Sequence, residues 1–133
     1  MKCLFCEIIK GEIPCYKIYE DKKTLAFLDI SKEGYGHTLV VPKNHVDNIV
    51  CSNLDTLKSC MKAAKKIINH YIKNCGFSGA NIIINNGESA GQSINHLHLH
   101  IIPRKEGDGI GVWKIPQNHE DLVKVQKKLE VKE

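Results

Sequence analysis

The stretch Asn95-His96-Leu97-His98-Leu99-His100-Ile101-Ile102-Pro103 places a histidine at every second position and an apolar residue in each gap. Period two is the periodicity of an extended strand, whose alternate side chains leave opposite faces. The pattern predicts His96, His98 and His100 on one face and Leu97, Leu99 and Ile101 in a core, with Pro103, which cannot donate to a ladder, as the end of the strand. Neutral imidazoles in a row suit proton transfer, nucleophilic attack or metal binding near pH 7. Three same-face strand positions span about 13 Å, whereas zinc takes nitrogens at about 2.1 Å, so the three rings together do not chelate one ion without a bend. His98, flanked on both sides, is expected to be the ring most sheltered from water and the best nucleophile.

Working outward, the loop Asn86-Gly87-Glu88-Ser89-Ala90-Gly91-Gln92-Ser93 leads into the histidines. Small residues at Gly91-Gln92-Ser93 let backbone N–H groups approach an anion, and the Ser93 hydroxyl and Gln92 amide would join them around whatever a histidine attacks. The loop lacks the lysine of a P-loop, so nucleoside-triphosphate hydrolysis of that kind is not supported. Attack of an imidazole on phosphorus gives a P–N bond that water can cleave, replacing one hard substitution by two easier ones.

The remaining pattern describes one α+β domain over residues 1–133. Phe5, Ile8 and Ile9 mark a short N-terminal helix that ends at Gly11 and Pro14. Tyr16–Glu20 and Thr24–Asp29 read as a hairpin, His37–Val41 as a third strand and Asn81–Asn85 as a fourth, antiparallel to the histidine strand. Ser52 with Asp55 resembles a capping box ahead of one long helix that runs to Cys75 and Gly76. A closing helix over Leu122, Val125 and Leu129, capped by Asn118 with Asp121, follows the glycines at 107, 109 and 111 and Trp113. An antiparallel sheet with the long helix on one face satisfies this order.

Composition narrows the function classes. Apolar residues make up 42% and charged residues 26%, which is ordinary globular composition. No apolar run approaches the ~18 residues of a membrane span, and Met1-Lys2-Cys3-Leu4-Phe5-Cys6 lacks the apolar stretch of a secretory signal, so no membrane is implied and the cytoplasm is the expected compartment. The net charge of +4 comes from lysines spaced as solvated helix faces, and Arg104 is the single arginine, which argues against nucleic-acid binding. Among six cysteines, Cys15, Cys51, Cys60 and Cys75 sit singly and read as free thiols. Cys3 and Cys6 have the spacing of a metal-binding pair, with reduced spectators as the alternative.

The run His96–Ile102, preceded by Gly91-Gln92-Ser93, resembles the signature of the histidine triad (HIT) superfamily, in its branch of Hint-like nucleoside phosphoramidases and nucleotidyl hydrolases. Cys3-Leu4-Phe5-Cys6, Ile13-Pro14, Tyr19-Glu20-Asp21, Ala26-Phe27-Leu28-Asp29-Ile30, Gly36–Lys43 and Asn85-Asn86-Gly87 extend the likeness over nearly the whole chain. It implies a five-stranded antiparallel sheet, continuous across a homodimer. His98 falls on the nucleophile, with His100, His96 and His37 as supporting histidines. Asn85, Gly91, Gln92 and Ser93 match the groups that hold phosphate and leaving group, Asp29 the acceptor of both ribose hydroxyls, and Phe5, Ile8, Phe27 and Leu39, with Ile30 alongside, a purine slot. Zinc-carrying bacterial-type members bind the metal through the residues that correspond to Cys3, Cys6, His45 and His96. The branch departs from this chain at Asn95, where an aromatic is common, and the tail around Trp113 falls where leaving-group preference is set. Three readings follow: hydrolysis of adenylate joined to an amine or acyl group, cleavage of dinucleoside polyphosphates with Arg104 as the obvious cation for a long leaving group, and a zinc-stabilised nucleotide-binding regulatory dimer.

Overall fold

The computed structural model describes residues 3–31, 34–109 and 117–132. The expected role of the tail at Ile110 to Pro116, Trp113 included, lies outside the described residues. Elements follow in the order α1 (Leu4–Ile9), β1 (Lys17–Glu20), β2 (Thr24–Leu28), β3 (Thr38–Pro42), α2 (Leu54–Asn74), β4 (Gly79–Ile84), β5 (Leu99–Arg104) and α3 (Leu122–Leu129), with one 3₁₀ turn at Glu88–Ala90. The five strands form one antiparallel sheet in the order β1-β2-β3-β5-β4. No helix among the described residues is long and apolar enough to cross a membrane.

Strict alternation along the central strands divides the molecule into two layers of core. Ala26, Val40, Leu99 and Ile101 face α2 and pack on Cys60, Ala63, Ala64, Ile67 and Tyr71. Leu25, Phe27, Leu39 and Val41 face the other way and are covered by Phe5 of α1. The long amphipathic helix thus shields one side of the sheet, and the short helix covers part of the other, leaving room there for a site. At six residues α1 is too short to persist by itself, so it depends on this packing and on its end contacts.

Four local expectations are corrected. The histidine strand begins only at Leu99: β4 ends opposite that residue at Ile84, β3 pairs with β5 over Thr38–Val40, and the Leu97 N–H donates instead to the Val46 carbonyl at 2.7 Å, in a loop. Alternation survives the change, because Leu97, Leu99 and Ile101 are all at most 1% exposed. Pro103 does not end the strand but pairs with Ala80 inside it. Arg104 accepts from Ser78 on the β4 side, so Pro103 turns its nitrogen toward the β3 side, where the ladder begins only opposite Ile101 and the proline ring packs against Gly36. The cap of α2 is Asn53, whose side chain accepts from the Thr56 N–H at 2.8 Å, while the Ser52 hydroxyl donates to the Asn53 carbonyl. The cap residue of α3 is Asp121; Asn118 braces the chain upstream through Glu120, and no residue of this helix is buried.

Candidate active site and metal centre

His98 lies just before β5, on the α1 side of the sheet. Its Nδ1 is 2.7 Å from the His96 carbonyl, and since a carbonyl can only accept, Nδ1 carries the proton and Nε2 keeps its lone pair. The ring is 6% exposed and stands edge-on to Phe5 at 5.1 Å between centroids. Burial pushes its pKa down, against the opposing pull of the carbonyl bond and of Asp29, which favours the neutral ring. His98 is not the most sheltered of the row: His96 is 0% exposed, because α1 and the segment after β3 close over it.

His100 opens a second line of groups. Its Nδ1 is 2.9 Å from His37 Nε2, and His37 Nδ1 faces the Asp29 carboxylate at 3.6 Å, a distance of charge attraction rather than of a full hydrogen bond. Burial, then the neighbouring imidazoles His98 and His37, bring His100 down to about 4. Asp29 also accepts from the Ser31 N–H at 2.8 Å. The free lone pairs of this half-buried carboxylate are available to a ligand, next to Ile30, which is 83% exposed. Asp29, His37 and His100 offer ligand atoms within 4.8 Å of one another, yet the two rings already share a proton.

The loop expected to cradle an anion is built differently from its sequence reading. Gln92 is 6% exposed, and its amide donates to the Asp47 carbonyl at 2.6 Å and the Ile94 carbonyl at 3.0 Å while its oxygen accepts from the Gly87 N–H at 2.9 Å. Its backbone N–H goes to Gly87 and that of Gly91 to Glu88. Gln92 therefore has no N–H left for a phosphate. Ser93, exposed and bonded to none of the described residues, and the half-buried Asn85 keep their donors; the Asn85 amide lies beside Gly91, where an added Cβ would meet its nitrogen at 3.7 Å. Gly91 itself needs to be glycine for its φ of +92°.

The apolar residues assigned to a base pack against one another. Phe5, Phe27 and Leu39 are 2%, 4% and 7% exposed, with the two phenylalanines edge-to-face at 5.7 Å. They form a floor closed to solvent, while Ile8 is half-buried and Ile30 exposed.

Cys3, Cys6, His45 and His96, remote in sequence, converge so that their ligand atoms all lie within 4.8 Å of one another. Cys3 Sγ and Cys6 Sγ are 3.4 and 3.6 Å from His96 Nδ1, Cys6 Sγ is 3.3 Å from His45 Nδ1, and the two Nδ1 atoms are 3.1 Å apart. A tetrahedral zinc site has sulfur–nitrogen edges of about 3.5 Å and nitrogen–nitrogen edges of about 3.3 Å, so the donor set fits such an ion closely. Both rings also present the correct nitrogen. His96 Nε2 donates to the Pro42 carbonyl at 2.9 Å, and His45 Nε2 is held by Asp47 at 2.9 Å, which leaves each Nδ1 lone pair pointing inward. Burial and the adjoining Cys3 raise the Cys6 thiol, and burial lowers His96, as expected where donors are packed together ready to receive positive charge. The sequence did not reveal Asp47, although a carboxylate two residues from a candidate ligand was a usable signal. The carbonyls of Pro42 and His96 have no side-chain signature at all.

Comparison with known proteins agrees with this geometry. Residues 10–107 match the HIT domain. An uncharacterized HIT-like protein of Methanocaldococcus jannaschii is 52% identical over 107 residues, 80% of this chain and 82% of that protein. A relative from Schizosaccharomyces pombe named adenosine 5′-monophosphoramidase is 37% identical over 125 residues, 92% and 91% of the two chains. Among solved structures, a zinc-bound histidine triad family protein from Mycobacterium smegmatis superposes with a TM-score of 0.80 at 36% identity, covering 88% of this chain and 85% of that one. With the sheet order, the histidine row and the matched span in agreement, the chain belongs to the HIT domain family.

Proposed function

We propose that the protein is a purine nucleoside phosphoramidase or nucleotidyl hydrolase that cleaves nucleoside 5′-monophosphate derivatives, adenylate joined to an amine or acyl group, through a covalent nucleotidyl-His98 intermediate. The observation that carries the reading is the 2.7 Å bond from His98 Nδ1 to the His96 carbonyl. It fixes Nε2 as the attacking atom and supports the positive charge the ring acquires when Nε2 bonds phosphorus. In this reading the Ser93 and Asn85 donors hold phosphate oxygens and the leaving group, and Asp29 accepts from ribose hydroxyls over the floor of Phe5, Phe27 and Leu39. The leaving amine departs with a proton and the water that follows gives one back. His100, neutral near pH 7 and joined to His37, has a free Nε2 for that exchange. The printed activity of the S. pombe relative supports the same class.

Zinc is the proposed occupant of the Cys3, Cys6, His45 and His96 set. Four protein ligands fill its tetrahedron, so its contribution is structural, pinning α1 against the segments that carry His45 and His96. A cytoplasmic homodimer is the proposed form. Its support is β4, an edge of the sheet whose sequence Gly79-Ala80-Asn81-Ile82-Ile83-Ile84 has neither charge nor proline to discourage pairing with a second copy. The polyphosphate reading loses its cation, because Arg104 is held by both Asp108 oxygens at 2.8 and 3.1 Å and by Asn81 at 2.7 Å.

Single-turnover trapping with a labelled adenosine phosphoramidate tests the reading. An acid-labile adduct on His98 that forms and clears at the rate of turnover is the expected result. Binding without an adduct would give the regulatory-dimer reading instead.

A further inference from the structure

The bonds of Gln92 join two parts of the molecule that the functional reading keeps apart. One end of its side chain closes the loop 87–94: Gly87 N–H donates to Oε1, and Nε2 donates to Ile94. The other Nε2 hydrogen leaves the loop and reaches the carbonyl of Asp47, the residue whose carboxylate holds His45 Nε2. Two further bonds run parallel to it, from Leu97 N–H to Val46 and from Val50 N–H to the Asn86 side chain at 3.2 Å. The segment that presents His45 to the metal set is thereby bonded to the loop that presents Ser93 through Gln92, and to the residues flanking that loop through Asn86 and Leu97. Of these bonds, only those of Gln92 come from a buried side chain, and both of its amide hydrogens are spent on them.

We propose that Gln92 is a positioning residue that couples metal occupancy to anion binding: it clamps the loop 87–94 to the His45 segment, so that the metal set and the Ser93 cradle settle in register together. This rests on the nucleotide and zinc readings above and assigns Gln92 a different task from holding phosphate. When the metal set is filled, His45 and Asp47 are held, the Asp47 carbonyl stays in place, and the Gln92 amide keeps the loop closed. When it is empty, the exposed His45 keeps only its bond to Asp47 and its contacts with Cys6 and His96, so the far end of the clamp is held less firmly. Linkage makes the effect reciprocal, so an anion bound at Ser93 must strengthen metal binding by the factor by which metal strengthens anion binding.

The test uses the full chain, zinc-loaded and chelator-stripped, with AMP and inorganic phosphate as probes. Calorimetry gives AMP affinity in both states, transfer to a chromophoric chelator gives zinc affinity with and without AMP, and amide exchange follows residues 87–94. The expected result is that stripping weakens AMP about 10-fold, AMP tightens zinc by the same factor, and exchange of 87–94 rises on stripping. In Gln92→Met and Gln92→Glu, which lack the two donors, zinc still binds but both factors drop below about threefold, the remainder passing through the His96 carbonyl. An undiminished factor in both variants overturns the proposal, as does a wild-type chain that takes up no zinc or shows no coupling. Should neither variant fold, the wild-type exchange decides: unchanged protection of 87–94 on stripping refutes the clamp. Should AMP fail to bind while inorganic phosphate binds, the nucleotide reading falls and the same two factors are read with phosphate; should neither anion bind in the zinc-loaded chain, the coupling proposal falls with it.

Discussion

Replacing Asp29 with alanine separates two roles proposed for one carboxylate, at the ribose and at His37. Oδ1 accepts from the Ser31 N–H at 2.8 Å, and Oδ2 lies 3.6 Å from His37 Nδ1, so lone pairs on both oxygens remain for a ribose. A hydrogen bond to a charged acceptor contributes about 1.5–3 kcal/mol, so two ribose hydroxyls together carry about 3–6 kcal/mol. Asp29→Ala is therefore expected to lower kcat/KM for an adenosine phosphoramidate by about 10²–10⁴-fold. The 2′-deoxy substrate, which has one of the two hydroxyls, should lose less by the factor of a single bond, about 10–100-fold. The His37 contact is too long for a strong hydrogen bond, and its loss acts on both substrates alike, at no more than about tenfold. Steady-state kinetics on the matched pair of substrates reads two quantities: the common factor reports the path through His37 together with the 3′-hydroxyl bond, and the ratio reports the 2′-hydroxyl bond alone. Equal losses on both substrates would refute the placement of Asp29 at the ribose, whatever their size.

His98→Ala should abolish turnover, by more than about 10³-fold, with AMP affinity kept within several-fold, whereas His100→Ala, acting through hydrogen bonds, should cost about 10–100-fold; equal losses would remove the division of roles. Cys3→Ser/Cys6→Ser should purify without the roughly one zinc per chain expected of the wild type, melt at a lower temperature and show a raised KM, since Phe5 of α1 forms part of the floor of the site; elemental analysis and melting check this, and unchanged melting with no metal in either protein would return the cysteines to spectators. Because His100 sits at about 4, the unfolded chain binds a proton that the folded chain refuses between about pH 6.5 and pH 4, so stability falls as pH falls through that window; urea midpoints at pH 7 and pH 5 should differ by less in His100→Gln than in the wild type, and an equal difference would show that His100 is not the group responsible.

The halves of this structure that were legible in the sequence are those written in side-chain periodicity. Leu97, Leu99 and Ile101 alternate into the core although only the last two belong to a ladder, because burial on one side of an extended chain does not require a neighbouring strand. The same independence hides where the ladder stops: nothing in His96 or His98 announces that Val46, a loop residue, takes the bond a strand would have taken. Pro103 misled for a related reason, since its missing N–H matters only on a side where a partner stands, and the reach of β3 is set far away in sequence. Asn53 and Ser52 were equally good caps by composition, and the choice fell to the residue whose side chain lines up with Thr56.

In the site, residue types were legible and allegiances were not. Four ligand atoms from three segments meet within 4.8 Å, and only the Cys3 and Cys6 spacing was local enough to read. The orientation of each ligand ring, like that of His98, is decided by an acceptor on its far nitrogen: Pro42, Asp47 and the His96 carbonyl. Two of those acceptors are backbone atoms. His96 stands in both clusters, with its ring among the ligand atoms of Cys3, Cys6 and His45 and its carbonyl on His98 Nδ1, so the histidine that the sequence presents as a flanking member of a row is where the proposed metal centre and the proposed nucleophile meet. A substitution at His96 that spares the carbonyl, such as His96→Cys, would keep a possible metal ligand and the acceptor for His98 Nδ1. Its effect should then fall on metal affinity before it falls on the rate of adduct formation, and a variant that retains full zinc yet loses the adduct would show that the imidazole itself, and not the backbone behind it, serves His98.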